Sequence, residues 1–234
     1  MITVVMPAYN EADIIEQTLR EWNDQVIARI PGAELIVVND CSTDRTGEIL
    51  ARLARDIPTL RPVTPYRNGG HGRALRLGFQ HARQEWVFQT DSDRQHIPSD
   101  FWRLWELRDH SDFIFGVRAA RADGWTRIAI TNLMRMANFV LWGIWIRDAN
   151  CPFRLMRREM LEKVLTRIPQ DSFIPMVMLS IYCRRMHCRF SEVVVQHLPR
   201  RGGEQSLAGI WKWTRVGSRC LCQLIALRLR PMRG

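Results

Sequence analysis

The sequence predicts an α/β protein built on a mostly parallel central sheet with helices on both faces. Two observations carry that prediction. Short apolar runs alternate with amphipathic stretches through the first half, the pattern that a parallel sheet with helical crossovers imposes. Three of the runs also end in polar, acid-bearing turns: Pro7-Ala8-Tyr9-Asn10-Glu11, Asp40-Cys41-Ser42-Thr43-Asp44 and Asp91-Ser92-Asp93. Open α/β sheets bind ligands at the carboxyl ends of their strands, so the acids mark one functional edge.

The elements follow in order. Thr3-Val4-Val5-Met6 reads as the first strand. Asn10 is an expected N-cap, and Ile15, Leu19 and Trp22 form one apolar face of the helix after it. Pro31-Gly32 breaks the chain before a buried strand, Glu34 to Asn39. Asp40 to Asp44 feeds a helix with Ile49, Leu50 and Leu53 inward, with Asp40 and Asp44 available to cap it. A short strand, Leu60 to Val63, leads to the glycine-rich loop Asn68-Gly69-Gly70-His71-Gly72 and a helix carrying Ala74, Leu75, Gly78, Phe79 and Ala82. That loop is either a plain turn or a phosphate cradle. Trp86 to Thr90 is the next strand, and Phe113 to Val117 another. Trp125 to Ile146 reads as an apolar helix, Val164 onward as two helices, and Phe190 to Val195 as a strand. The tail, Ile210 to Arg230, mixes Trp211, Trp213 and leucines with arginines, a composition that suits an amphipathic interfacial helix or a terminal helix packed on the core.

Composition sets further bounds. Among 234 residues, 46% are hydrophobic and 25% charged, which excludes wholesale disorder. The formal net charge of +10 suits anionic headgroups, nucleic acid or phosphate-bearing substrates. The surplus is almost all arginine, the side chain shaped for bidentate phosphate contact. The arginines are dispersed, and no helix-turn-helix, zinc-finger or aromatic RNA motif accompanies them, so no nucleic-acid partner is expected. Six cysteines lack zinc spacing and are read as reduced. The chain opens directly in a strand without a signal peptide, and a cytoplasmic location is expected. Ile128 to Ile146 nearly reaches spanning length but includes Arg135, and a central charge costs about 3 kcal/mol on insertion. Lying in the membrane interface stays open for this segment, and membrane-facing helices are expected in the second half.

Asp91-Ser92-Asp93 follows a buried strand, and two carboxylates flanking one residue can share Mg²⁺ or Mn²⁺ with a diphosphate. With its neighbours the triplet becomes specific. Val5 to Glu11, Val38 to Thr46, Asn68 to Leu75 and Asp91-Ser92-Asp93-Arg94-Gln95-His96-Ile97-Pro98 come in the order found in the family 2 glycosyltransferases, which have the GT-A nucleotide-sugar fold. The chain resembles that family over about residues 1 to 120, with Cys41 where glycine is usual. The last segment is similar to the polyprenyl-phosphate sugar synthases, and Arg147 to Leu155 resembles the dolichol-phosphate mannose synthase branch, with Pro152 replacing a glycine. Pro199-Arg200-Arg201-Gly202 resembles the branch's late basic loop.

The resemblance implies roles. Asp93 and Gln95 would hold the metal, with Asp91 contacting metal or ribose. Pro7, Tyr9, Glu11, Asp40, Asp91 and Ser92 would line the nucleotide-sugar site. Arg118 and Arg200 or Arg201 would meet the diphosphate or the acceptor phosphate. Asp148 is the expected base if the acceptor is a hydroxyl, or else a buried partner for Arg154. His96 is read as a structural hydrogen-bonder. The implied activity is transfer of a sugar from a GDP- or UDP-linked donor to a polyprenyl phosphate, inverting, at the inner face of the membrane. A polysaccharide or another lipid as acceptor, and a non-catalytic basic binding protein or scaffold, are the rival readings. Residues 1–206 are expected to form the catalytic domain, with a nucleotide-binding half of about 1–120 and an acceptor half of about 121–206. Residues 207–234 are the basic tail. The oligomeric state is not readable.

Overall fold

In the computed structural model the strands Ile2–Ala8 (β1), Glu34–Asn39 (β2), Leu60–Val63 (β3), Trp86–Gln89 (β4), Phe113–Arg118 (β5), Arg154–Arg157 (β6) and Phe190–Val195 (β7) form one sheet. Their order is β3-β2-β1-β4-β6-β5-β7. The structure describes residues 1–119, 132, 135, 136, 138–170, 172, 174–199 and 225. β1 pairs in parallel with β2 and β4, β2 with β3, and β5 with β7. β6 alone runs the other way, antiparallel to β4 and to β5. Six strands therefore point the same way, and their carboxyl ends share one edge with the entrance to β6.

Helices cover both faces, as expected from the sequence. Ile15–Gln25 (α1), Thr46–Asp56 (α2) and Phe101–Trp105 (α4) lie on one side. His71–His81 (α3), Arg158–Leu165 (α5) and Pro175–Arg185 (α6) lie on the other. β1 is buried along its whole length, so it has no polar face. Val4 and Met6 pack with Trp22, Leu50 and Phe88, while Val5 packs opposite with Leu75, Phe79 and Leu179. Phe88 meets Phe101 and Phe153 edge-on, with centroids 5.0 and 4.8 Å away, the arrangement aromatic quadrupoles favour. α3 approaches the sheet at Gly78, where a Cβ would stand 2.3 Å from Val5 Cγ1.

Three expectations change. β6 was not foreseen, and α5 starts at Arg158 rather than near Val164. Asn10 does not cap α1, which begins at Ile15 without a side-chain cap. The apolar helix ends before Ile146, because Gly143 turns left-handed (φ 66°) behind the helical residues 138–142. Ile146 then packs against Val177 and Ile181 of α6. Among the described residues no helix is long and apolar enough to cross a membrane. The tail, except Ile225, and residues 120–131 lie outside the described residues.

Arg154 fixes the reversed strand. Its side chain is fully buried. Nε donates to Cys151 O at 2.8 Å, Nη1 to Met176 O at 3.0 Å and Ser180 Oγ at 3.1 Å, and Nη2 to Ala149 O. The guanidinium also stands 4.3 Å from the Phe115 ring centre. Burial pulls its pKa down to about 10, so it stays charged at neutral pH. Arg154→Met takes the donor from the carbonyls of Ala149 and Cys151, each loss costing about 1–3 kcal/mol, while Met176 O keeps its bond from Ser180 Oγ. Urea unfolding should show a loss of about 3 kcal/mol or more. A loss under about 1 kcal/mol would mean those carbonyls find other donors.

Candidate active site at the carboxyl edge of the sheet

The turn after β1 is stitched to the turn after β2. Asn10 adopts φ 53°, a left-handed conformation that asparagine tolerates. Its Oδ1 accepts from Thr43 N at 2.9 Å, and its own N–H donates to Ser42 Oγ at 3.1 Å. Glu11 N donates to Thr46 Oγ1 at 2.9 Å, and Ala12 N to Asp44 Oδ2 at 3.0 Å. Asp44 Oδ1 takes Thr46 N at the start of α2, so one carboxylate serves both loops. These bonds claim the side chain that was expected to cap α1. They leave Tyr9 half exposed at the rim, with Glu11 buried behind it. Cys41 sits at φ 57°, which is the backbone reason glycine is usual there.

Asp40 is buried and faces the glycine-rich loop. Oδ1 accepts from Gly69 N at 2.8 Å and Oδ2 from Gly70 N at 2.7 Å, while Asn68 Nδ2 donates to its main-chain oxygen at 2.7 Å. Gly70 needs φ 77° to aim its N–H this way. The amides once open to a phosphate reading thus hold a carboxylate instead, and Asp40 caps no helix. A cleft of about 470 Å³ opens beside it, bordered by Pro65, Tyr66, Arg67 and Arg73.

Beyond β4 the acidic segment runs along the same edge. Ser92 is buried: its hydroxyl donates to Pro7 O at 3.0 Å, and its carbonyl accepts from Thr18 Oγ1 at 3.1 Å. Pro7 and Ser92, both expected among the nucleotide-sugar contacts, are therefore bonded to each other, a tie between β1 and the acidic turn. Asp91 and Asp93 lie on either side, both half-buried. His71, at the start of α3, brings Nε2 to 3.8 Å from Asp91 Oδ1. Sequence reading missed it, although it sits inside the glycine motif. Asp93 Oδ1 accepts from Gln95 N at 3.1 Å. Arg94, at φ 60°, turns its side chain away onto Gln17 and Glu21 of α1. Gln95 Nε2 donates to Leu198 O at 3.2 Å, and Leu198 N donates to Gln95 O at 2.8 Å.

Arg118, ending β5, grips Asp148 with Nε–Oδ2 2.7 Å and Nη2–Oδ1 2.9 Å. Asp148 is buried, and its partner is Arg118 rather than Arg154. Arg200 and Arg201 lie outside the described residues. Strand ends that are distant in sequence thus bring Tyr9, Glu11, Asp40, Asp91, Asp93, Gln95, Arg118 and Asp148 to one edge.

The family model for glycosyl transferase family 2 matches residues 3–165. The chain belongs to that family. It is 30% identical over 212 residues to the undecaprenyl-phosphate 4-deoxy-4-formamido-L-arabinose transferase of Pseudomonas aeruginosa, covering 90% of this chain and 61% of the relative. The Edwardsiella ictaluri protein of the same name is 30% identical over 206 residues, covering 87% and 62%. The chain thus spans about three fifths of the length of these curated relatives. Among solved structures, a mannosyltransferase from Pyrobaculum calidifontis in complex with GDP-Man and Mn²⁺ superposes with a TM-score of 0.69 at 25% identity, over 100% of this chain and 65% of that one. Glucosyl-3-phosphoglycerate synthase from Mycobacterium tuberculosis, with Mn²⁺, UDP-Glc and phosphoglyceric acid, gives 0.70 at 19% identity, over 100% and 81%. The fold is accordingly GT-A-like, with the mixed, mostly parallel sheet described above.

In this family 2 chain the donor chemistry of Asp91, Asp93 and Gln95 fits a hard divalent cation, which takes one or two carboxylates and completes its shell with phosphate oxygens. Among the described residues no group of three or more His, Cys, Asp or Glu side chains is placed to hold a metal. His96 is buried, with the main chain of Gln196 as a polar neighbour. The ring packs 5.2 Å from Phe153 and 5.3 Å from His197.

Burial, then the nearby His197 and Arg118 charges, push the His96 pKa from 6.5 down to about 3. An unfolded chain takes up this proton near pH 6.5 and the native state only near 3, so stability falls as pH drops through that window. His96→Phe removes that term while keeping a ring on Phe153. Its melting temperature should fall less between pH 7 and pH 4 than that of the wild type. Parallel curves would show that His96 already titrates normally in the native state.

Proposed function

We propose that this chain transfers a sugar from a GDP- or UDP-linked donor to a polyprenyl phosphate, with inversion, using Mg²⁺ or Mn²⁺ at the cytoplasmic face of the membrane. The observation that carries this reading is the shared edge, where Asp91, Asp93 and Gln95 stand with Asp40 on one side and the Arg118–Asp148 pair on the other. The undecaprenyl-phosphate transferases to which the chain is similar supply the acceptor class.

Each group has a task in this reaction. Tyr9 and Glu11 edge the space for base and ribose, with Asp40 accepting from the nucleoside through lone pairs its glycine contacts leave over. A divalent cation on Asp91, Asp93 and Gln95 would offset the charge of the departing diphosphate. Arg118, oriented by Asp148, adds a fixed cation for the diphosphate or the acceptor phosphate, and Arg200 or Arg201 adds another. A phosphate acceptor is already anionic and attacks the anomeric carbon without a strong base. Asp148 is therefore assigned to holding Arg118. A hydroxyl acceptor would instead call on Asp148 as base. Calorimetric titration with UDP, GDP and other nucleotide diphosphates plus Mn²⁺ should find metal-dependent binding of one of them. Asp93→Ala should weaken it more than about 100-fold. No binding of any nucleotide by the wild type would overturn the transferase reading.

The membrane contact is assigned to the segment ahead of β6. Met136, Phe139, Val140 and Trp145 are exposed, and the Phe139 and Trp145 rings meet edge-on at 6.1 Å. Arg135 donates to the carbonyl of Arg147 beside them, and Arg185 stacks on Trp142 at 4.9 Å. Aromatics flanked by cations suit an anionic interface. Phe139→Ser with Trp145→Ser should lower co-sedimentation with phosphatidylglycerol vesicles about tenfold or more, since burying each ring is worth roughly 1.5–3 kcal/mol. Unchanged co-sedimentation would move the membrane contact elsewhere.

A further inference from the structure

We infer that Arg94 is a positioning residue for the cation site: its guanidinium, seated on Gln17 and Glu21 of α1, fixes the backbone turn between Asp93 and Gln95. The inference rests on the proposed donor site and goes beyond it, because Arg94 has no contact with cation or nucleotide in that reading.

The turn needs an outside hold. Arg94 stands at φ 60°, a conformation in which the Cβ of an ordinary residue crowds the carbonyl that follows. The bond from Gln95 N to Asp93 Oδ1, 3.1 Å long, lies within the turn and cannot anchor it to the rest of the fold. Thr18 Oγ1 grips weakly, since its one proton is shared between Ile14 O at 2.9 Å and Ser92 O at 3.1 Å. Arg94 supplies the stronger contact. Nη1 donates to Gln17 Oε1 and Nη2 to Glu21 Oε1. These acceptors are four positions apart and so are neighbours on one face of α1. Gln17 Nε2 also donates to Glu21 Oε1 at 3.2 Å, which arranges the pair to receive a fork. The Arg94 side chain is only 14% exposed. Its ion pair is therefore less screened than those of Glu16 with Arg20 and Arg52 on the same helix, whose side chains are 36–50% exposed. The contact has a second effect. A loose guanidinium between Asp93 and Gln95 could pair with Asp93 in the place of a cation, and Glu21 keeps it occupied elsewhere. α1 itself starts from the turn after β1, where Ile15 N donates to Glu11 O at 2.9 Å. One helix thus gives the acidic segment and the first turn a common frame.

Mn²⁺ titrations in the presence of UDP or of GDP test this on Arg94→Ala, Glu21→Ala, the double variant and Glu16→Ala. The last removes ion pairs from α1 without touching the acidic segment, so it reports what general loosening of the helix does. The Mn²⁺ concentration for half-maximal nucleotide binding should rise about tenfold or more in Arg94→Ala and in Glu21→Ala. Saturating Mn²⁺ should bring nucleotide affinity back to within about threefold of wild type, a split that simple unfolding does not give. Because both residues act through one contact, the double variant should lie within about threefold of the worse single one. Hydrogen exchange of the Gln95 amide needs no ligand: it should speed about tenfold in Arg94→Ala and stay within about twofold of wild type in Glu16→Ala. Wild-type Mn²⁺ dependence in Arg94→Ala would overturn the inference. So would an equal shift in Glu16→Ala, fully additive effects in the double variant, or unchanged exchange at Gln95. A wild type that binds no nucleotide diphosphate overturns the transferase reading instead, and the exchange rates then still decide whether Arg94 holds the turn.

Discussion

A guanidinium taken out of water has five N–H donors to satisfy, and Arg154 places four of them on the carbonyls of Ala149, Cys151 and Met176 and the hydroxyl of Ser180. No carboxylate is among these four partners. The arrangement binds three separate pieces of chain, the turn at 149–151, the start of α6 and β6 itself, to the ring of Phe115. This matters because β6 is the one reversed strand among the described residues. Only a strand running backward between β4 and β5 returns the residues just ahead of it to the carboxyl edge. Without that return, Asp148 would not reach Arg118 at the end of β5. The buried cation is therefore what lets a sheet of parallel strands present a contribution from its second half beside the acids of its first.

The rest of the edge is made rigid by loops that satisfy one another. Asn10, Ser42, Thr43, Asp44 and Thr46 exchange hydrogen bonds between the first two turns, and Ser92 ties the acidic turn to Pro7. Asp40 does the same for the glycine loop. Each bond uses a group that short loops would otherwise leave unsatisfied. The result is that carboxylates at three strand ends keep their spacing before any ligand arrives, the preorganisation that makes electrostatic stabilisation effective. Left-handed residues recur where these turns are tightest, at Asn10, Cys41 and Arg94. At Arg94 the twist sends the side chain to α1, away from Asp93 and Gln95 on either side.

Much of this was legible in the sequence, for a physical reason. Glu34–Asn39 and Phe190–Val195 were readable to the residue because runs rich in β-branched residues between turn residues leave little choice. The acids after β1, β2 and β4 were readable because a strand end is a fixed place in a parallel sheet. Arg154–Arg157 was not readable: two of its four residues are arginine, and a strand with a buried charge shows neither alternation nor an apolar run. The two partners of Asp148 weighed beforehand, a substrate proton and Arg154, were likewise undecidable, because the choice rests on where an unforeseen strand enters the sheet. Asn10 looks like a cap by local rules, yet the turn after β2 competes for its side chain and wins. Local propensity fails at the places where a distant segment supplies the partner.

The surplus of positive charge takes on a different meaning once these partners are known. Arg154 is not the only guanidinium spent on carbonyls. Arg76 donates to Leu165 O and Ile168 O, Arg158 to Gln84 O, and Arg103 to Val194 O. Arg158 and Arg103 also pair with Glu162 and Asp100, whereas at Arg154 and Arg76 the carbonyl partners occupy donors without cancelling charge, so these two forks act as clips between elements and leave their units of charge in the total. Lysine could not replace these arginines, since its compact ammonium lacks the planar fork. The net +10 is therefore compatible with many guanidinium groups being committed internally. A fork tied to a carbonyl offers little for bidentate contact with a particular phosphate, yet its field still reaches any anionic surface within a Debye length of about 8 Å.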